Sequence, residues 1–169
     1  IVEAEYGATG QAGAEDSYEP LKGEELLRFA RQVAGFVKYT GAEGISYPIG
    51  MEHAAPTAVK HAPDVARLET VQREIMRVSR RYVPFAQHGG TGAKEIARGL
   101  VGKNNVNTHF LVTAAQSVAM HVAKYKEGIA LGRKSASGTG LYTSASRAVM
   151  YATVEKMKAC GTFGDLAVL

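Results

Sequence analysis

Hydrophobic residues recur every three or four positions in four stretches of the chain, which is the spacing of an amphipathic helix. Proline or an Asn-Thr pair precedes the first three stretches, and glycine or proline follows each of the four, as is typical of helix boundaries. The pattern predicts four main helices, at residues 20–41, 63–83, 107–128 and 141–159.

The predicted fold class is all-α, with long non-regular connections between the helices. Runs in which β-branched residues alternate with polar ones are absent, so the sequence predicts no sheet. In the fourth stretch, apolar residues surround the helix between residues 148 and 154. This pattern predicts that the fourth helix is the most buried of the four.

The domain organisation predicted from the sequence is an extended acidic arm at residues 1–18, followed by a helical domain at residues 19–169. Residues 1–25 carry seven acidic side chains and one lysine, whereas the rest of the chain carries nineteen lysines and arginines and nine acidic residues. A basic body of this kind favours acidic partners, or an arm that screens the body. The long connection at residues 40–62 suggests a functional loop or a path along a partner.

Part of the second helix recurs in the third. Residues 72–80 correspond to residues 116–124 at an offset of 44, and a Gly-Thr-Gly run follows each copy. Two interpretations are open: a duplicated helix–loop–helix at residues 63–101 and 106–160, or a chance match between two amphipathic helices.

The two Gly-Thr-Gly runs, at residues 90–92 and 138–140, are candidates for phosphate binding. A nucleotide P-loop requires glycine, four residues and then Gly-Lys-Ser/Thr after a strand. The first run has Lys94 at the wrong spacing, and no lysine follows the last glycine of the second. Glycine between helices usually supplies a turn, so the sequence favours an elbow between helices at both runs over a phosphate site.

Exposed cations and one tyrosine are the candidate partner-binding residues. Several of the cations fall in the last turn of a predicted helix, where the helix dipole alone favours them. The other interpretation is contact with an acidic partner, because arginine is enriched at interfaces. The residues predicted to contact partners are Arg77, Arg80, Arg81, Arg133, Lys134 and Tyr142.

Motifs for catalysis and metal binding are absent from the sequence. The single cysteine, Cys160, excludes an internal disulfide and a cysteine-based metal cage. No two of the five histidines are spaced as helical i, i+4 ligands, and no serine lies in a nucleophile elbow. The basic body lacks a nucleic-acid motif, and no apolar run reaches bilayer length. The sequence therefore predicts a non-enzymatic protein without a metal, which binds no nucleic acid and inserts into no membrane.

The carboxy-terminal third contains the segments "VAMHVAKYKEGI" and "GTGLYTSASRAVMYATVEKMKAC". These segments resemble the gamma-type linker subunits of red algal phycoerythrin, which have a fainter counterpart to "RRYVPFAQHGG" at residues 80–90. The matching positions are Val118, Ala119, Tyr125, Thr139, Gly140, Tyr142, Ser146, Arg147, Ala148 and Val149.

The resemblance implies a non-catalytic linker polypeptide of the phycobilisome. Such a protein would bind acidic phycobiliprotein alpha/beta hexamers and other linker proteins, and would support rod assembly and energy transfer in light harvesting. It would lie in the plastid (chloroplast), on the stromal side of the thylakoid, after removal of a transit peptide. Gamma subunits carry several bilin-bearing cysteines, whereas this chain has one, so a nearly colourless relative is expected, with Cys160 as the candidate site for a phycobilin.

Two alternatives from other classes remain open at this point. One is an accessory helical subunit of another organellar complex. The other is a small enzyme that binds a phosphate ligand.

Overall fold

Short parallel strands alternate with helices in the first part of the chain, and helices alone follow. The structure is a computed structural model, and it describes residues 1–8, 10–11, 18–53, 62–93 and 96–162. The chain divides into two compact units, Ile1–Val106 (unit 1) and Asn107–Leu169 (unit 2).

Unit 1 combines strands of two to four residues with two long helices. Its elements are β1 (Glu3–Glu5), β2 (Gly10–Gln11), α1 (Gly23–Thr40), β3 (Gly44–Ser46), β4 (Glu52–His53), α2 (Val65–Ser79), β5 (Phe85–Gln87) and β6 (Val101–Asn104).

Four of these strands form a parallel sheet in the order β1-β3-β5-β6. The register pairs Ala4 with Ile45, Ile45 with Phe85, and Phe85 with Val101. Neighbours in the sheet therefore follow one another along the chain, which is the strand order found in β/α barrels. The strands β2 and β4 form a separate two-stranded parallel sheet. Unit 1 has an α/β fold.

The prediction of an all-α fold is wrong. All three residues of β3 and all three of β5 are buried. Strands of a parallel sheet that are covered on both faces do not alternate between apolar and polar residues, so their sequences lack the pattern that the prediction required. With three residues each, they are also too short to show a period.

The hydrophobic core of unit 1 lies between the sheet and the two helices. From the sheet it takes Ile45, Phe85 and Val101, and from the helices it takes Val33 and Leu68, among others. The rings of Tyr47 and Phe85 meet edge to face with their centroids 4.7 Å apart. Such aromatic pairs add to the stability gained from burial alone. The sheet, α1 and α2 therefore share one core.

The two helices predicted within unit 1 are confirmed, with tighter bounds. α1 ends at Gly41, which adopts the left-handed conformation with φ of 72°, as expected of a glycine that terminates a helix. α2 begins after Asp64, whose side chain accepts a hydrogen bond of 2.9 Å from the backbone N–H of Arg67. The glycine that the sequence placed after the first helix therefore ends it, and α2 has a side-chain cap that the sequence analysis did not name.

Unit 2 is helical in its described residues. It contains α3 (Thr108–Ala130), α4 (Lys134–Ser137) and α5 (Thr139–Ala159), so the third and fourth predicted helices are also confirmed. However, no residue of α5 is buried, and the prediction that this helix is the most buried is wrong. An all-round apolar sequence marks a buried helix only if other elements surround it, and within unit 2 the described partners of α5 are α3 and α4.

The predicted arm at residues 1–18 and helical domain at residues 19–169 stay a prediction, as does the duplicated helix–loop–helix. The division between the two units falls after Val106. Among the described helices, none combines the length and the hydropathy that crossing a bilayer would require.

Candidate active site

The carboxyl ends of β1, β3, β5 and β6 meet at one edge of the parallel sheet. The residues that follow these ends include the segments at 47–51, 88–92 and 105–106. Ligands of open parallel sheets and of β/α barrels bind at this edge, because the loops that follow the strands converge there. This edge, called the carboxyl edge below, is the candidate active site of unit 1.

A glycine loop at residues 89–92 follows β5 directly. Gly89 has φ of +68°, and a Cβ atom placed there would lie 2.5 Å from the backbone oxygen of Glu52. A side chain at Gly90 would collide with Asn104 and Asn105. The backbone N–H of Gly90 donates a 3.0 Å hydrogen bond to the carbonyl oxygen of Asn105. Both glycines are therefore required by close backbone packing, and the loop has one fixed shape.

The end of β6 holds this loop against β5. The backbone N–H of Asn105 donates to the carbonyl oxygen of Gln87 at 2.8 Å. The Gln87 side chain, which is fully buried, donates from Nε2 to Asn104 Oδ1 at 3.3 Å. Gln87 Oε1 has no hydrogen-bond partner among the described residues. These bonds fix the position of His88, which comes between Gln87 and the glycine loop.

Three ionisable side chains converge beside the glycine loop. Lys103 Nζ lies 2.8 Å from Glu3 Oε2, and His88 Nε2 lies 3.7 Å from Glu3 Oε1. Asn105 Nδ2 lies 3.5 Å from His88 Nε2. The three side chains come from β6, β1 and the end of β5, so their meeting is a product of the sheet topology. A carboxylate, an ammonium group and an imidazole together can move a proton and stabilise charge.

A buried arginine supports the segment that follows β3. Arg67 donates from Nη1 to the carbonyl oxygen of Pro48 at 2.8 Å and from Nη2 to that of Glu19 at 3.1 Å. Its guanidinium group lies 4.6 Å from the centre of the Tyr18 ring, and Nε lies 3.8 Å from Asp64 Oδ2. Arg67 therefore joins α2 to two loops at the carboxyl edge.

Two tyrosines near this arginine stay protonated. Burial raises the pKa of the Tyr18 phenol well above its ordinary value, and its 2.6 Å hydrogen bond to Asp64 Oδ2 raises the pKa further. Burial also raises the pKa of the Tyr47 phenol strongly. Both phenols are therefore neutral structural groups.

Three arginines at the end of α2, which the sequence analysis predicted to contact partners, lie away from this edge. Arg77 forms an ion pair of 2.8 Å with Glu74, and Arg80 caps α2 with φ of 57°. Arg81 donates from Nη2 to the carbonyl oxygen of Ala42 at 2.7 Å. Because the end of α2 leads into the start of β5, all three lie near the amino-terminal edge of the sheet. Their role in partner binding stays a prediction.

The remaining predicted residues belong to unit 2. Arg133 and Lys134 begin α4, Tyr142 is exposed on α5, and Cys160 is buried at the end of α5. Their partner-binding role also stays a prediction. A phycobilin at Cys160 was expected through the linker resemblance alone.

The sequence analysis did not find Glu3, His88 or Lys103. Of the run at residues 138–140, Gly138 lies between α4 and α5, and Thr139 and Gly140 begin α5. The elbow interpretation is wrong for residues 90–92, which follow a strand. The available signal was the short apolar run at residues 83–86, bounded by His-Gly-Gly. Such a run is typical of a buried strand that ends in a functional loop.

A metal site requires more donors than the described part of this edge supplies. Catalytic zinc sites use three protein ligands, and no group of three histidine, cysteine, aspartate or glutamate side chains is suitably placed among the described residues. Glu3 and His88 are two adjacent donors, but they do not form a metal site by themselves.

A comparison with protein families gives one match that covers nearly the whole chain. The family model for class II fructose-bisphosphate aldolase matches residues 1–165. No curated protein matches the chain. The matched family is an enzyme family, so the prediction of a non-enzymatic protein is wrong.

The match also overturns the resemblance to phycobilisome linkers. The expectations of a structural role in rod assembly and light harvesting, and of phycobiliprotein and linker partners, are wrong for the same reason. The resemblance was carried by short motifs in two helices of unit 2, whereas the family match includes the sheet. The plastid location stays a prediction.

Proposed function

Because the chain belongs to the class II fructose-bisphosphate aldolase family, we propose that the carboxyl edge of unit 1 binds a sugar phosphate and takes part in aldol cleavage or condensation. The observation that carries the proposal is the convergence of Glu3, His88 and Lys103 beside the glycine loop at residues 89–92. The alternative of a small phosphate-ligand enzyme, left open by the sequence, fits the family match better than a linker does.

The glycine loop is proposed to bind the phosphate group. Its backbone approaches neighbouring chain segments without intervening side chains, since Gly89 and Gly90 leave no room for a Cβ atom. Backbone N–H groups in such turns form concave sites for anions. Lys103 adds a positive charge close by, which favours a phosphate ester over a neutral sugar.

His88 is proposed to move the proton that an aldol reaction requires. Cleavage removes a proton from the hydroxyl group β to the ketone, and the breaking C–C bond leaves its electrons on the ketone fragment as an enediolate. We assign this proton to the imidazole of His88, which lies 3.7 Å from Glu3. His88 then returns the proton to the carbon of the enediolate, which gives the ketone product. Lys103 holds the Glu3 carboxylate in place from its other oxygen.

Class II aldolases use a zinc ion, which would stabilise the enediolate when it is bound. The described residues at this edge do not supply the three donors of a catalytic zinc site. The proton transfer assigned to His88 involves side chains of this chain and no metal ion.

Cleavage of fructose 1,6-bisphosphate, followed through the release of triose phosphate with added Zn²⁺, tests the proposal. We expect saturable cleavage by the unaltered protein and a decrease in kcat of about 100-fold or more for His88→Ala, as is usual when a general acid–base group is removed. His109→Ala, in unit 2, serves as the matched control and should retain activity. Absence of cleavage of any ketose bisphosphate, or full activity of His88→Ala, would contradict the proposal.

A further inference from the structure

Unit 2 contains a cavity of about 440 Å³ between α3, α4 and α5. This volume lies within the range found for small-molecule sites. Its lining includes His121, Ser135, Thr139, Thr143, Ser144 and Arg147. None of them is acidic, and one is a permanent cation.

A single buried histidine fixes the walls of this cavity. His121 of α3 is 6% exposed, and its Nε2 lies 2.8 Å from the carbonyl oxygen of Ala136 in α4. A carbonyl oxygen can only accept, so Nε2 carries a hydrogen. Nδ1 lies 2.9 Å from Ser144 Oγ of α5, so the ring forms a second hydrogen bond there. One side chain thus joins all three helices, and the cavity is formed before any ligand arrives.

Close backbone packing strengthens this arrangement. A Cβ atom at Gly140 would collide with the carbonyl oxygen of Ser135 and would lie 3.2 Å from His121 Cε1. At Gly128, a Cβ atom would lie 3.0 Å from Cβ of Ala136. The two glycines therefore let α4 approach both long helices, and substitution at either position would open the cavity wall.

The polar groups that face the cavity are available to a ligand. Thr139, Thr143 and Arg147 are four residues apart along α5, so they form one row on the helix. Their side chains, and that of Ser135 opposite, make no hydrogen bond or ion pair with any described residue. Hydroxyl groups and a guanidinium group donate hydrogen bonds, and a guanidinium group binds phosphate through two of its N–H groups.

The charge of the surrounding segment favours an anion as well. Residues 107–169 contain seven lysines and arginines and three acidic residues. Arg147 is exposed, so its charge is accessible to a molecule that enters from solvent. A site with donors, a cation and no carboxylate selects for a ligand with a phosphate group over neutral or cationic ligands.

We propose that this cavity is a second phosphate-binding site, in which Arg147, Thr139, Thr143 and Ser135 hold the phosphate group of a small molecule. The site consists of residues of unit 2 alone and is not assigned to the aldol reaction. It would bind its ligand whether or not the proposed reaction is correct.

Titration of the full chain with inorganic phosphate, observed by ¹H–¹⁵N NMR at constant ionic strength, tests this proposal. We expect saturable shifts of the backbone amides of residues 135–147, and a dissociation constant about tenfold higher or more for Arg147→Met. Thr143→Val, which keeps the charge and the shape, should weaken binding to a smaller extent. Arg31→Met, on the exposed surface of α1, is the matched control and should leave these shifts unchanged.

Three results would overturn the second site. They are the absence of shifts at residues 135–147, equal binding by Arg147→Met, and the same shifts with chloride in place of phosphate. Shifts confined to residues 88–92 would also overturn it, while supporting phosphate binding at the carboxyl edge. The dispersion of the spectrum shows directly whether each variant is folded.

Discussion

Lys103 Nζ and Glu3 Oε2 lie 2.8 Å apart, although the two residues belong to the outermost strands of the four-stranded sheet. The pair reaches across the face that β3 and β5 present between them. The pair forms because the parallel sheet brings the two strands together in this order. It also positions the Glu3 carboxylate, which lies beside His88.

Lys103→Met should lower kcat/KM strongly while it changes the free energy of unfolding only slightly. The Lys103 and Glu3 side chains are 59% and 30% exposed, and exposed ion pairs contribute about 1 kcal/mol or less to the free energy of unfolding. In contrast, loss of the cation that positions Glu3 and attracts the substrate should lower kcat/KM about 100-fold. Urea denaturation and steady-state kinetics measure the two effects. Lys38→Met, at an exposed position of α1, is the control. Equal losses of activity in the two variants would contradict this account.

Gly89→Ala should destabilise unit 1 and impair phosphate binding. The residue has φ of +68°, and the new methyl group would meet the backbone of Glu52 at 2.5 Å. Left-handed strain and a backbone collision together should cost about 1–3 kcal/mol or more in the free energy of unfolding. Gly35→Ala, in α1 with no atom within 4 Å of the new Cβ, should instead stabilise the protein by about 0.5–1 kcal/mol. Chemical denaturation of both variants distinguishes the two positions, and a neutral Gly89→Ala would contradict the tight packing.

Arg67→Ala should be among the most destabilising single substitutions in unit 1. The change removes the donors to Pro48 and Glu19 and leaves Asp64 without its buried cation. Breaking a buried ion pair in this way costs about 3–5 kcal/mol. Arg73→Ala, at an exposed position of the same helix, should change the free energy of unfolding by less than about 0.5 kcal/mol. A similar effect of the two substitutions on the denaturation midpoint would show that Arg67 does not support the loops.

Tyr47→Phe should shift alkaline unfolding to higher pH. Burial raises the folded-state pKa of this phenol. A raised pKa means that the stabilisation is complete below the unfolded-state pKa of about 10 and is lost as pH rises above it. Removing the hydroxyl group removes this contribution to alkaline unfolding.

Circular dichroism between pH 9 and 12 measures this shift. Tyr39→Phe, at a site that is 91% exposed, should leave the midpoint unchanged. An unaltered midpoint for Tyr47→Phe would show that this phenol is not protected by the fold.

The helices could be predicted from the sequence because each carries several turns of periodic apolar residues. α1 and α2 are long enough for Val33, Val37, Leu68 and Ile75 to define a buried face. Boundary residues such as Pro63 and Gly41 then placed the ends within a few residues.

The sheet could not be predicted in the same way. In β3, the residues Gly44, Ile45 and Ser46 are all buried, since one face packs on the helices while the other is covered as well. Three such residues resemble any short apolar segment between turns. Because the strands were missed, nothing indicated a ligand-binding loop after β5, and the Gly-Thr-Gly run at residues 90–92 was interpreted as an elbow.

The candidate site was missed for a related reason. Glu3 and Lys103 are separated by 100 positions along the chain, and no spacing motif joins them to His88. Only the parallel order of the strands brings the three side chains together. Conversely, the resemblance to a linker relied on residues of α3 and α5, whose apolar helical sequences are shared by many unrelated proteins.

Deuterium exchange at the carbon next to the ketone of dihydroxyacetone phosphate tests the central claim most directly. Aldol condensation begins by removing a proton from this carbon, so the exchange isolates proton transfer from cleavage of the C–C bond. The account predicts that the protein, assayed in D₂O with added Zn²⁺, incorporates deuterium detected by ¹H NMR, and that His88→Ala slows the exchange about 100-fold or more. Exchange at an equal rate in His88→Ala, or no exchange by the unaltered protein, would contradict the assignment of the carboxyl edge as the active site.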